Sequence, residues 1–312
     1  MTGMDVLDTE RLEAPIVEIR NVTRRFGAKL ALDNVSMTVP AGSVFGLVGE
    51  NGAGKTTLIK HMLGLLKAQE GSVRVFGKDP VADPVGVLSR IGYLSEEPDI
   101  PGWMRIDELL RYSQAFYPTW DEAYANQLRG DFGLDPRTQV KNLSKGQRAR
   151  AGLMTALAYR PELLLLDEPS SGLDPIVRRD ILGAIIRTIA DEGRTVIFSS
   201  HLLGEVERVC DYVAMVRSGK IVFCDTLDSI KENHFRAVFR LAASRVEPPH
   251  IAGVLVWEGS GREWSGLCHG RRIDVENAAV AAGAELMATS AASLDDIFVA
   301  RVGAKIPVGA ED

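Results

Sequence analysis

A chain of 312 residues, 46% hydrophobic and 25% charged, has the makeup of a globular protein large enough for one big domain or two ordinary ones. Its net charge of −6 argues against a nucleic-acid footprint, which normally carries a basic excess, so no nucleic-acid partner is expected. No apolar run approaches the ~18 residues of a bilayer span, and three cysteines without metal-ligand spacing (Cys210, Cys224, Cys268) point to reduced, buried thiols in the cytoplasm.

Residues 1–15 are acidic, lack an apolar core and end at Pro15; they read as a flexible arm and not as a signal peptide. Val17-Glu18-Ile19 and Val35, Met37, Val39 alternate as strands. Between them stands Phe26, either ordinary core or a ring exposed to stack on a purine; its local sequence leaves both open. Val44 to Val48 reads as a buried strand, and Leu58, Ile59, Met62, Leu63 and Leu66 then recur at helical spacing.

The turn between that strand and helix carries the most specific chemistry. Gly49-Glu50-Asn51-Gly52-Ala53-Gly54-Lys55-Thr56 fits G-x-x-x-x-G-K-[ST] at every fixed position, in the strand-to-helix context the motif requires. Its glycines let backbone N–H groups turn inward toward an anion, and the helix start adds its positive dipole end. Lys55 is placed to reach β- and γ-phosphates, the Thr56 hydroxyl to ligate Mg²⁺ and Thr57 to offer another phosphate donor.

Downstream, Val73, Val75 and a Gly77-Lys78 turn predict a strand, and Ile91 to Leu94 another, closed by Ser95-Glu96-Glu97-Pro98. From Ile106 to about Ala158 the pattern is helical, with Ile106, Leu109, Leu110 and Phe116 on one face and Trp120, Tyr124 and Leu128 repeating at four. Thr119 and Glu122 have the spacing of a capping box, as do Ser144 and Gln147 in Leu143-Ser144-Lys145-Gly146-Gln147. Trp103 and Met104 form an apolar pair in a loop, equally suited to a partner's helix or to this chain's core.

Leu163 to Leu166 reads as a strand buried on both faces, ending in Asp167-Glu168-Pro169. Ligands of open α/β sheets bind at that edge, so Asp167 is placed to hold the Mg²⁺ of a bound nucleotide and Glu168 to orient or deprotonate an attacking water. Asp174-Pro175 has the pairing that starts a helix, and Thr195 to Ser199 forms another apolar strand with His201 just past its end. After a last helix near 225–231 the composition shifts: Phe235 to Leu241 reads as a strand, Val254 to Trp257 with Glu263 to Leu267 as a hairpin around Gly259-Ser260-Gly261, and 278–282 as helix.

The phosphate loop, LSKGQ, LLLLDEP, SGLDP and SSH, in that order, make residues 16 to about 230 resemble the nucleotide-binding domain of ABC transporters. The resemblance implies an α/β fold: a P-loop NTPase core with a mostly parallel sheet, an antiparallel β subdomain and a helical insertion at about 97–160. The expected division is an ATP-binding domain at 16–233, a small α+β accessory domain at 234–303, and flexible termini at 1–15 and 304–312. It implies ATP and Mg²⁺ as cofactors, with Phe26 stacking on adenine and Gly49 to Thr57 cradling phosphates. Asp167 and Glu168 become the magnesium and general-base pair, Ser171 to Asp174 a loop crossing a dimer interface, and His201 a sensor of the γ-phosphate.

The family's signature, usually LSGGQ, is LSKGQ here; through it Ser144, Gly146 and Gln147 would close the nucleotide site of a second copy of the chain. Lys145 must then take ordinary L-residue angles or accept strain. Where the family usually has glutamine stands Glu96, whose charged oxygen suits a hard cation and makes it a candidate direct or water-bridged Mg²⁺ ligand. The acidic pair and the Phe116-Tyr117-Pro118-Thr119-Trp120-Asp121 stretch resemble the export branch, and Ser293 to Phe298 its C-terminal helix. The implied protein is an ATP-hydrolysing subunit, a nucleotide-sandwiched homodimer peripheral on the inner face of the cell membrane through a separately encoded permease. Two rival readings are a soluble ABC ATPase acting on ribosomes or nucleic acid and a P-loop small-molecule kinase; the latter would leave LSKGQ and His201 without a role.

Overall fold

The computed structural model describes residues 14–190 and 193–303, so most of the two flexible-terminus segments, 1–13 and 304–312, lies outside the described residues. The chain forms two compact units, one from residues up to Phe45 with Gly54–Ser199, the other from Gly46–Ala53 with the residues from Ser200 on.

The first unit opens with an antiparallel sheet of β1 (Val17–Phe26), β2 (Lys29–Val39) and β4 (Glu70–Val75), in the order β2-β1-β4. β3 (Val44–Val48) starts here, followed by α1 (Lys55–Met62) and, after β4, α2 (Pro84–Leu88) and β5 (Ile91–Leu94). Between β5 and β6 (Leu163–Asp167) come α3 (Ile106–Gln114), α4 (Glu122–Asp131), a 3₁₀ turn at Val140–Asn142 and α5 (Lys145–Leu157), before α6 (Pro175–Ala190) and β7 (Thr195–Ser200). β5, β6 and β7 run parallel, Asp167 lying opposite Ser199, and Val196 N–H bonds the Ser43 carbonyl at the start of β3. Every residue of β6 is buried, as a strand covered on both faces requires, and each leucine contributes roughly 2 kcal/mol of hydrophobic stabilisation.

Several helical boundaries differ from the sequence pattern. The N-cap of α4 is Asp121, whose carboxylate accepts from Tyr124 N–H at 2.9 Å, while Thr119 donates its hydroxyl to the Tyr159 carbonyl. An aspartate one residue before the helix outcompetes a threonine three before it. Phe116 lies beyond the end of α3 and is 63% exposed, so it does not share the buried face of Ile106 and Leu109. The Trp103-Met104 pair splits, Met104 entering the core and Trp103 standing 70% exposed.

In the second unit the end of β3 precedes α7 (Leu203–Val209), β8 (Tyr212–Arg217) and β9 (Lys220–Thr226); β8 and β9 pair antiparallel. α8 (Leu227–Glu232) leads into β10 (His234–Arg245), β11 (Val254–His269), α9 (Arg272–Ala281), β12 (Ala284–Ala291) and α10 (Leu294–Gly303). The sheet β11-β10-β12 has its own core, with Phe239, Leu241, Trp264, Cys268 and Val275 buried together. β11 doubles back at Gly259–Gly261: a Cβ on Gly259 would lie 2.9 Å from the Glu263 carbonyl, and one on Gly266 3.2 Å from that of Val256. The three cysteines are free, but Cys224 is exposed and only Cys210 and Cys268 are buried, because Cys224 sits on β9, the last strand in its sheet.

Candidate functional site

The phosphate loop is shaped by close approach as much as by turning. In the second unit, a Cβ on Gly49 would fall 2.3 Å from the Val216 carbonyl of β8, so only glycine fits where β3 ends. Ala53 donates to the Glu50 carbonyl at 3.1 Å and accepts from Gly219 N–H at 2.9 Å, while Asn51 and Gly52 stay exposed. In the first unit, Gly54 is the N-cap of α1 with φ 120°, a conformation other residues rarely take, and having no side chain it gives the helix no side-chain cap. First-turn N–H groups without a cap are the donors an anion can take, and Thr56 is exposed beside them.

At the far end of β6, one hydroxyl orders two acids. Ser199 Oγ donates to Asp167 Oδ1 at 2.7 Å and accepts the Glu168 N–H at 2.8 Å, which fixes one carboxylate and the next residue's backbone together. Glu168 holds φ 48°, a left-handed conformation that costs a non-glycine residue on the order of 1–3 kcal/mol. Its Oε1 lies 2.8 Å from Lys55 Nζ, and both side chains are buried. The phosphate-loop lysine and the predicted general base are therefore direct partners. Tyr93, in β5, feels Asp167: burial and then the Asp167 carboxylate push its phenol up to about 12.

Elsewhere in the first unit, Ser144 and Gln147 cap α5 reciprocally, Ser144 Oγ accepting from Gln147 N–H at 3.2 Å and Gln147 Oε1 from Ser144 N–H at 3.0 Å. Lys145 is the first helical residue, with no positive φ, so the departure from LSGGQ introduces no backbone strain. Gly146 is buried where a Cβ would meet Val177 Cγ2 at 2.8 Å. Asp174 caps α6 through the N–H groups of Val177 and Ile176, which hold its carboxyl below the usual range. Glu96 and Glu97 are exposed and, with Lys145 and Arg148, line a cavity of about 570 Å³. Phe26 is 45% exposed at the end of β1, which excludes the core reading of that ring. His201 belongs to the second unit and is exposed just past β7.

The structure thus brings Lys55, Asp167 and Glu168 together, and it adds Ser199, the second-to-last residue of the apolar strand β7. The only sequence signal for it was a hydroxyl in an otherwise apolar strand.

The ABC transporter family profile matches residues 32–171. The chain is 33% identical over 226 residues to YhcH, an ABC transporter ATP-binding protein of Bacillus subtilis, covering 70% of this chain and 73% of that one. It is 30% identical over 305 residues to DrrA, the daunorubicin/doxorubicin resistance ATP-binding protein of Streptomyces peucetius, covering 92% of each. Among solved structures, the ATP-binding subunit of an ABC transporter superposes with a TM-score of 0.64 at 28% identity, over 69% of this chain and 91% of that one. No helix among the described residues is long and apolar enough to cross a membrane. With the phosphate loop, the acidic β6 end and relatives matched over most of their length, this chain belongs to the ABC transporter ATP-binding proteins, and it is an ATPase of α/β fold.

Proposed function

We propose that the chain is the motor subunit of an exporter: two copies close around two ATP molecules and drive a separately encoded membrane permease, on whose inner face they sit. The observation that carries this is the buried Lys55–Glu168 ion pair. An incoming γ-phosphate competes with Glu168 for Lys55, and the Glu168 carboxylate then acts on water, orienting and deprotonating it. Ser199 and the strained backbone keep that carboxylate at the strand end while this happens.

The oxygen donors that would hold Mg²⁺ are the Thr56 hydroxyl, the Asp167 carboxylate and the Glu96 carboxylate, all of the hard type this cation prefers. No group of three or more His, Cys, Asp or Glu among the described residues is placed to hold a metal by itself, so nucleotide oxygens and water would complete its coordination. When bound, Mg²⁺ neutralises charge on the β- and γ-phosphates. Gly49, Glu50, Asn51, Gly52, Ala53 and Gly54 supply backbone to the phosphates, Thr57 a hydroxyl, and His201 senses the γ-phosphate. Ser144, Gly146 and Gln147 face the nucleotide of the second copy. The ATP-binding domain is 16–233, and 234–303 is an accessory domain. Export is favoured by the match to DrrA, a resistance protein, over 92% of each chain.

The test is nucleotide retention. Glu168→Gln keeps the shape and loses the proton acceptor, so after gel filtration it should carry intact ATP, whereas Lys55→Ala should carry none. Hydrolysis by Glu168→Gln at the parent rate would overturn the assignment.

A further inference from the structure

The Phe26 ring is held by a cationic neighbour, Arg24. Arg24 places its guanidinium carbon 4.8 Å from the ring centroid, and residues two apart on a strand share a face. The ladder between β1 and β2 slips between the pairs Arg24–Leu32 and Arg25–Leu30, an irregularity of the kind that re-aims side chains. Arg24 is half-buried and tethered from its other side: Nη1 donates to the Lys67 carbonyl at 3.1 Å, in the segment that leaves α1. The neighbouring backbone is tied to the same segment, since Gln69 Oε1 accepts from Arg25 N–H at 2.6 Å and Gln69 Nε2 donates to the Arg25 carbonyl at 3.4 Å. One face of the ring is thus covered by a fixed cation, and the side chain still exposes 45% of its surface.

We propose that Arg24 is a positioning residue for the nucleotide base, stacking behind Phe26 and tying it to the exit of the phosphate-loop helix so that the outward face of the ring receives the purine. The inference rests on the reading of Phe26 as the base platform. A ring on an exposed strand end loses rotamer freedom when it binds, and a cation already docked on its inner face removes part of that cost beforehand. The tether to Lys67 also fixes where the ring stands relative to α1, whose first turn carries Lys55, Thr56 and Thr57.

The experiment is calorimetric titration of the full chain with ATP and, separately, with inorganic tripolyphosphate, which has the phosphates and no base. Phe26→Ala and Arg24→Met should each raise the Kd for ATP roughly threefold to tenfold and leave that for tripolyphosphate unchanged. Arg24→Lys, which keeps a cation, should recover most of the loss, and the double variant Phe26→Ala/Arg24→Met should bind ATP no more weakly than Phe26→Ala. Methionine preserves the length and apolar stem of arginine, so folding is retained, and thermal unfolding checks this. Parent-like ATP binding by Arg24→Met while Phe26→Ala weakens it would sink the inference alone; if Phe26→Ala also binds like the parent, the platform reading falls with it. Equal weakening toward ATP and tripolyphosphate by Arg24→Met would overturn the positioning role.

Discussion

Ser199 and Glu168 show how much of the chemistry depends on single atoms. A hydroxyl that donates to one acid and accepts from the backbone of the next fixes both without adding charge, and the left-handed Glu168 is the strain that this arrangement stores. The glycine-rich loop and the acidic pair were legible in the sequence because each is a local motif on a predictable element. Ser199 was not legible, because its role comes from the β6–β7 register, which sets Asp167 opposite it across 32 residues of chain. The Lys55–Glu168 contact was hidden for the same reason, being made between residues more than a hundred positions apart. Glu96 is the residue whose role is most open to direct measurement. If it ligates Mg²⁺, Glu96→Gln should raise the Mg²⁺ concentration for half-maximal ATPase activity, while Glu97→Gln should not; one shared Mg²⁺ dependence for both variants and the parent would remove Glu96 from the metal.

At the scale of elements, the periodicities predicted which segments were strands or helices better than where they began. Asp121 displaced Thr119 as the cap of α4, whereas the hairpin read from Gly259-Ser260-Gly261 is present, as the doubling back of β11. The difference at α4 turns on a non-local contact, the Thr119 hydroxyl being taken by the Tyr159 carbonyl. Trp103, exposed in the loop before α3, is our candidate for docking the permease. Trp103→Ala should leave the ATPase rate of the isolated chain unchanged and reduce ATP-driven transport in membrane vesicles; unfolding of the variant would return Trp103 to a structural role.

The junction of α8, β10 and α10 makes a pH prediction. His234 is buried, with Nδ1 bonded to the Ile230 carbonyl at 2.7 Å and Nε2 accepting from Arg301 at 3.1 Å. Burial lowers its pKa to about 4, with Arg301 and His269 acting in the same direction and the Ile230 bond opposing. The folded value lies below the ordinary 6.5, so the unfolded chain binds the proton more readily and stability is lost as pH falls from 6.5 toward 4. His234→Gln should therefore flatten the denaturant-stability profile across that window. An unchanged slope would show that another group dominates.

For the whole molecule, the accessory sheet has its own core, yet it is stitched to neighbouring elements: Leu294 N–H reaches Glu207 at 3.4 Å, and Glu207 also pairs with Lys231 at 2.7 Å. A chain ending at Asn233 contains every residue proposed to touch nucleotide. It should bind ATP with parent affinity while losing solubility, because α7 loses its contact with α10. A folded, soluble truncation that no longer bound ATP would refute the division at 233.

The central claim is that nucleotide itself joins two copies, each contributing Lys55, Asp167 and Glu168 at one site and Ser144 and Gly146 at the other. Light scattering coupled to size-exclusion chromatography of Glu168→Gln measures this directly. With ATP and Mg²⁺ the variant should elute at twice the 33.9 kDa chain mass, and with ADP or no nucleotide at the chain mass itself. A variant that binds ATP and remains monomeric at saturating nucleotide and Mg²⁺ would contradict the account.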